Sequence, residues 1–128
     1  MTSQALGLLC GFLVAHYLGD FSPLATPRMH EAKADGGPLS VIAAHALVHA
    51  LLVAIVVILF SAPVSPAAAT AAGVVFVTHF ALDLTRSRLG SRFAALKDPG
   101  QNVFWYLLGL DQLAHLLILV ALAAWIMR

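Results

Sequence analysis

Four pairs of residues carry nearly all the chemistry this chain could do inside its apolar stretches: His16/Asp20, His45/His49, His79/Asp83 and Asp111/His115. In each pair the two residues are four apart, so on a helix they share one face, one turn apart. Imidazole nitrogens suit Zn, Fe, Ni or Cu, and carboxylate oxygens admit Mn as well. All eight side chains fall within runs of apolar residues, where an ionisable group is costly and needs a reason to be there. Three bare carboxylates at the centre of a bilayer would cost roughly 7–10 kcal/mol on insertion scales. They must be protonated, paired, hydrated or metal-bound.

The elements that carry these pairs follow from composition. Of 128 residues, 61% are hydrophobic and only 10% charged, and the mean hydropathy is +0.92. A soluble domain has about 45–50% apolar and about 25% charged residues. The balance points to an all-α integral membrane protein with room for one domain. Spans are expected at about 4–21, 39–61, 67–84 and 103–127, since a crossing helix needs roughly 17–25 mostly apolar residues. Backbone groups in lipid must be satisfied within such a segment, so each span is a helix. Residues 1–7 carry no Lys or Arg, so no signal peptide is expected and the first span stays. The single Cys10 excludes an internal disulfide and reads as a packing residue.

Between the spans, Pro63 and Pro66 mark a tight uncharged turn, while 22–38 and 85–100 are polar loops. Leu89, Phe93 and Leu96 in the second of these have helical spacing, so either a short helix lies on the membrane surface or span three runs past the bilayer. The two polar loops hold six of the seven Lys and Arg, the other being Arg128. The positive-inside rule then makes both loops cytoplasmic and places both termini on the outer side. Trp105 with Tyr106, and Trp125, would mark the two interfaces of span four, about 30 Å apart at 1.5 Å per residue. No nucleic-acid partner is expected. The bilayer is the expected surrounding, and Gly7, Gly11 and Gly73 would permit close helix contacts, including a homodimer.

With antiparallel neighbours the pairs fall into two layers. Spans one and three put His16 and His79 deep, with Asp20 and Asp83 shallow. Spans two and four, running the other way, put His49 and His115 deep, with His45 and Asp111 shallow. Eight inward ligands in a helical bundle form the pattern of a two-metal centre. Two divalent ions bring +4 against −3 from the three Asp, which leaves capacity for hydroxide or a phosphate oxygen. Zinc is the first candidate, with iron or manganese next. One of Asp20, Asp83 and Asp111 could serve as general base instead of ligand. Arg86 and Arg88 could steer a phosphate or simply meet lipid headgroups. His30 reads as a surface residue and Gln112 as a helix-contact residue.

Three stretches carry a family resemblance: Ala15-His16-Tyr17-Leu18-Gly19-Asp20-Phe21, Ala44-His45-Ala46-Leu47-Val48-His49 and Asp111-Gln112-Leu113-Ala114-His115. Together they resemble the small bacterial membrane family called domain of unknown function 3307. The resemblance implies a four-span bacterial inner-membrane protein and brings no established activity. Locally, His16-Tyr17-Leu18-Gly19-Asp20 is similar to the His-x-x-Gly-Asp metal motif of zinc-dependent phospholipases C. Those enzymes place another His ten residues after the first, where this chain has Thr26. Membrane-bound metal-dependent hydrolases share the His-x-x-x-His flavour.

The resulting expectation is a metal-dependent hydrolase of a phosphoester or lipid-like substrate, with a binuclear site open to the cytoplasm. Two other readings use the same residues: a metal-ion or proton transporter, and a haem-binding redox protein with two of the deep histidines as axial ligands.

Overall fold

The computed structural model describes residues 3–60 and 66–128. All regular structure in them is helical: α1 (Ser3–Phe21), α2 (Pro27–Asp35), α3 (Leu39–Phe60), α4 (Pro66–Arg92) and α5 (Asn102–Ile126), with a short 3-10 turn at Ala94–Leu96. Four of these, α1, α3, α4 and α5, are long and apolar enough to cross a membrane, and the chain is a multi-pass membrane protein. The end of span two at Ser61 and the turn at Pro63 lie outside the described residues.

The four long helices run antiparallel and enclose two unlike interiors. Toward the chain ends, Leu8 and Phe12 of α1 pack with Val53 and Val57 of α3, Ala71 and Val75 of α4, and Leu119 and Leu122 of α5. Small residues let the helices approach there. A Cβ at Gly7 would meet the Phe60 ring at 2.6 Å, and one at Gly11 the Val56 side chain at 2.7 Å. Both glycines therefore serve contacts within this chain. Cys10 is exposed on the outer surface and packs no core. Trp105, Tyr106 and Trp125 also point outward.

Toward the other end the architecture departs from four spans and plain loops. Helix α4 continues to Arg92, past the expected end of span three, so Leu89 belongs to it and only a 3-10 turn follows. Residues 27–35, expected within a loop, form α2. Its start is set by Thr26, whose hydroxyl accepts from the Met29 amide, and by Pro27 in the first turn. Its end is set by Gly36 at φ 85°, a left-handed cap that favours a residue without Cβ. Ala32 is the buried contact of this short helix.

Helix α2 also accounts for a stagger in the bundle. Asp20 lies one residue from the end of α1, yet its Oδ2 is 3.4 Å from Nε2 of Gln112, eleven residues into α5. The first turns of α5 and the last turns of α4 therefore rise beyond α1. Helix α2 packs into the space left over, against α3 and α4.

Candidate metal centre

All eight expected ligand residues are buried in the bundle, none more than 7% exposed. The four deep histidines pack ring to ring. Centroids are 3.7 Å apart for His49–His79, 4.3 Å for His79–His115, 5.2 Å for His16–His49 and 5.4 Å for His16–His115. The shallow layer lies one turn away, with Nε2 of His45 3.1 Å from Asp20 Oδ1 and 3.6 Å from Asp83 Oδ2.

Gly19 explains why the α1 stretch can enter this crowd. A Cβ at that position would overlap the His49 ring, so only glycine lets α1 and α3 approach closely enough to seat Asp20 beside His49. The two are 3.4 Å apart, from Asp20 Oδ1 to His49 Nε2. The Gly-Asp of the motif is thus one device: the first residue makes space for an imidazole and the second offers it a carboxylate.

Ligand-type atoms converge into two groups. One comprises Asp20, His45, His49 and His79, the other His79, Asp83 and His115; within each, one nitrogen or oxygen per residue lies within 4.8 Å of the others. His79 belongs to both. Several of these atoms make no hydrogen bond although buried: Nδ1 of His45, Nε2 of His49, His79 and His115, and both carboxylate oxygens of Asp83, which have charge contacts with Lys33, His45 and His79 at 3.2–3.6 Å. A buried polar atom without such a partner is costly. The six residues of the two groups, four imidazoles and two carboxylates, are a donor set well matched to Zn, Fe or Mn. His115 shows the preparation most clearly. Its Nδ1 lies 2.8 Å from the backbone oxygen of Asp111, and a carbonyl can only accept. The ring proton therefore sits on Nδ1, which leaves a lone pair on Nε2, aimed at Asp83.

His16 and Asp111 stand just outside the two groups. Nε2 of His16 donates to Oε1 of Gln112 at 3.2 Å and lies 3.5 Å from Asp20 Oδ2. Asp111 is 3.6 Å from Nη1 of Arg86. Gln112, read from sequence only as a helix contact, spans these outer members, its amide nitrogen reaching Asp20 Oδ2 at 3.4 Å and Asp111 Oδ2 at 3.5 Å. It points about 100° away from Asp111 around α5, and that direction faces α1.

The residue that sequence reasoning missed is Lys33 of α2. Its ammonium lies 3.3 Å from Asp20 Oδ1, 3.2 Å from Asp83 Oδ1 and 3.2 Å from His45 Nε2. Nothing in the loop composition separates Lys33 from the other basic residues there; only the packing of α2 does. His30, on the same helix, is exposed, as expected.

The site has two very different sides. Beyond the deep histidines is a small cavity of about 10 Å³, lined also by Val53, Val75, Thr78, Ile118 and Leu119. That volume is on the order of one water molecule. Beyond the carboxylate layer is a chamber of about 400 Å³. Its lining combines basic Lys33, Arg86 and Lys97, acidic Asp20 and Asp35, and apolar Phe21, Phe104, Leu107 and Leu108. Arg86 faces this chamber, whereas Arg88 is exposed on another side of α4.

The whole arrangement falls within one family match. A family model described as protein of unknown function (DUF3307) matches residues 8–128, and the chain belongs to that family. No curated protein and no solved structure matches the chain.

Proposed function

We propose that this protein is a metal-dependent hydrolase of the bacterial inner membrane, holding two divalent ions, zinc first among the candidates, and cleaving a phosphoester in a lipid-like substrate. The observation that carries this reading is the pair of ligand groups sharing His79, with buried donor atoms that no protein hydrogen bond satisfies. Ions held there would supply Lewis-acid polarisation of a phosphoryl oxygen and hydroxide near neutral pH.

The chamber supports the substrate class. Its basic side chains suit a phosphate head, with Arg86 able to bind it bidentately. Phe104, Leu107 and Leu108 of α5 suit the apolar remainder of an amphiphile. Asp111 lies outside both ligand groups and is the carboxylate left for general-base work. Under the positive-inside rule the chamber faces the cytoplasm. The apolar packing of Leu8, Phe12, Val57 and Leu122 beyond the deep histidines favours a site entered from one face over a transit path.

The test begins with metal analysis and calorimetry on purified protein in detergent. About two ions per chain with a gain in thermal stability are expected. A protein that binds no Zn, Fe or Mn and gains no stability overturns the reading. With metal bound, phosphate release from short-chain lipid phosphates is expected. Metal uptake into sealed vesicles without phosphate release would favour a transporter, and a haem absorbance band would replace both.

A further inference from the structure

Lys33 occupies a position that the proposed metal centre does not use and that metal binding would contest. Its ammonium touches Asp20 Oδ1, Asp83 Oδ1 and His45 Nε2 at 3.2–3.3 Å. Asp20 and His45 belong to one ligand group and Asp83 to the other. A single cation therefore already bridges both halves of the centre, holding donor atoms that divalent ions would take. The local bonding is also over-subscribed. Nε2 of His45 faces Lys33 at 3.2 Å and Asp20 at 3.1 Å, and one ring nitrogen can accept from the first or donate to the second, never both.

An ammonium and a metal ion cannot share these oxygens. Their charges repel, and a carboxylate oxygen bound at about 2.0–2.2 Å to zinc has no room for Nζ on the same side. Lys33 has somewhere to go. Its side chain is 14% exposed, and it lines the adjoining chamber beside Arg86 and Lys97. Its helix is a short, separately capped unit between Thr26 and Gly36, suited to a small shift as one piece. The chamber also holds a polar group with nothing to bind: the Ser87 hydroxyl, 3% exposed and without a hydrogen bond.

We infer that Lys33 and the metal ions exclude each other at the carboxylate layer, and that the displaced ammonium becomes an anion-binding group of the chamber, alongside Arg86 and Ser87. The inference rests on the binuclear reading and adds an order of events. Without metal, the charge of Lys33 is spent on Asp20 and Asp83 and the chamber has little hold on an anion. With metal, those carboxylates are neutralised by the ions, Lys33 is released and a phosphate head is bound. The same residue thus offsets one of the two charges of Asp20 and Asp83 in the metal-free protein and selects an anionic substrate in the loaded one.

The chain has only two lysines, which makes a direct measurement possible. Lys97 is 41% exposed and its salt bridge is to Asp35, away from the carboxylate layer, so it serves as the reference for the zinc step. In the phosphate step each lysine is compared with its own modification before phosphate is added. Full-length protein in detergent is treated with an amine acylating reagent, metal-free or Zn-loaded, and modification at each lysine is read by mass spectrometry. Zinc is expected to raise acylation of Lys33 several-fold with Lys97 unchanged. Adding inorganic phosphate to the desalted Zn-loaded protein is expected to protect Lys33 again. Bound zinc with Lys33 still unreactive overturns mutual exclusion and leaves the metal centre standing, whereas absence of bound zinc overturns both. Reactive Lys33 that phosphate does not protect overturns the anion-binding role. A second arm avoids reactivity altogether. Lys33→Met is expected to tighten zinc binding by about tenfold or more, because a competing buried cation is gone, and Lys33→Arg is expected to leave it near wild type. Equal affinity in all three also overturns the inference.

Discussion

The same four helices build two interiors, and they are held together for opposite reasons. Near the chain ends, Leu8, Phe12, Val53, Val57 and Leu119 interdigitate with alanines and glycines and leave no polar atom to satisfy. In lipid such packing gains little from the hydrophobic effect, since the tails outside are as apolar as the core; close fit provides the attraction. One to two turns further along, the same faces present six imidazoles and carboxylates to one another in the two ligand groups. Fit alone cannot hold that half together. Its groups need a cation, and in the structure Lys33 supplies one. The apolar half is complete within the four spans, while the polar half is completed from outside them by α2. The contrast separates two roles: the half that packing alone could build is scaffold, and the half that needs a further charge is the candidate site.

The hardest blow to this contrast falls on His79, the residue common to both ligand groups. His79→Ala is expected to weaken binding of both ions by about 100-fold or more, since direct ligands matter at least as much as the outer-shell partners whose loss costs 10–100-fold. Calorimetry with Zn reads this directly. Retention of one tight ion would show that the two groups do not share His79 and would break the binuclear arrangement into separate sites.

A smaller effect is expected at Gly19. An added methyl there overlaps the His49 ring, so Gly19→Ala must push His49 or α1 aside and spoil the group containing Asp20. Because a displacement near 1 Å is enough to disable a preorganised site, one of the two ions should be lost or weakened roughly 10–100-fold. The ion at Asp83 and His115 should remain. Simultaneous loss of both would mean that α1 positions the whole centre and not one side of it.

Much of this was legible in the residues. The spans follow from run length, and the i,i+4 pairs with their reversal in span four place eight side chains in two layers, because helix periodicity and antiparallel neighbours leave little choice. What escaped was tertiary. The signals for α2 stand in the chain, with Thr26 and Pro27 at its start and Gly36 at its end, but nine residues, five of them polar, form no helix that hydropathy can see. Lys33 looks like any basic loop residue until α2 folds back onto Asp20 and Asp83. Gln112 reads as a helix contact because sequence does not show that α5 faces α1 on one side and α4 on the other. The stagger of α1 against α5 escapes the sequence for a related reason: it is filled by an element invisible at the level of spans.

The smallest expected effect on metal is the one that sharpens the contrast most. Phe12 is fully buried in the apolar half, two turns or less from His16 on the same helix. Phe12→Ala leaves a cavity among Leu8, Val57 and their neighbours. Large-to-small changes in such cores cost about 3–5 kcal/mol in water-soluble proteins, and somewhat less is expected here because packing inside a bilayer lacks the full transfer term. The melting temperature in detergent should fall by several degrees. Zinc stoichiometry and affinity below that temperature should stay at the level of wild type and of His30→Ala, whose side chain is exposed. The reasoning is local. His16, Asp20 and Gln112 are tied to one another across α1 and α5 by hydrogen bonds within the polar half, and none of these passes through Phe12. If Phe12→Ala weakened metal binding as strongly as Gly19→Ala, the two interiors would be one mechanical unit, and the apolar half would be part of the site's positioning instead of its scaffold.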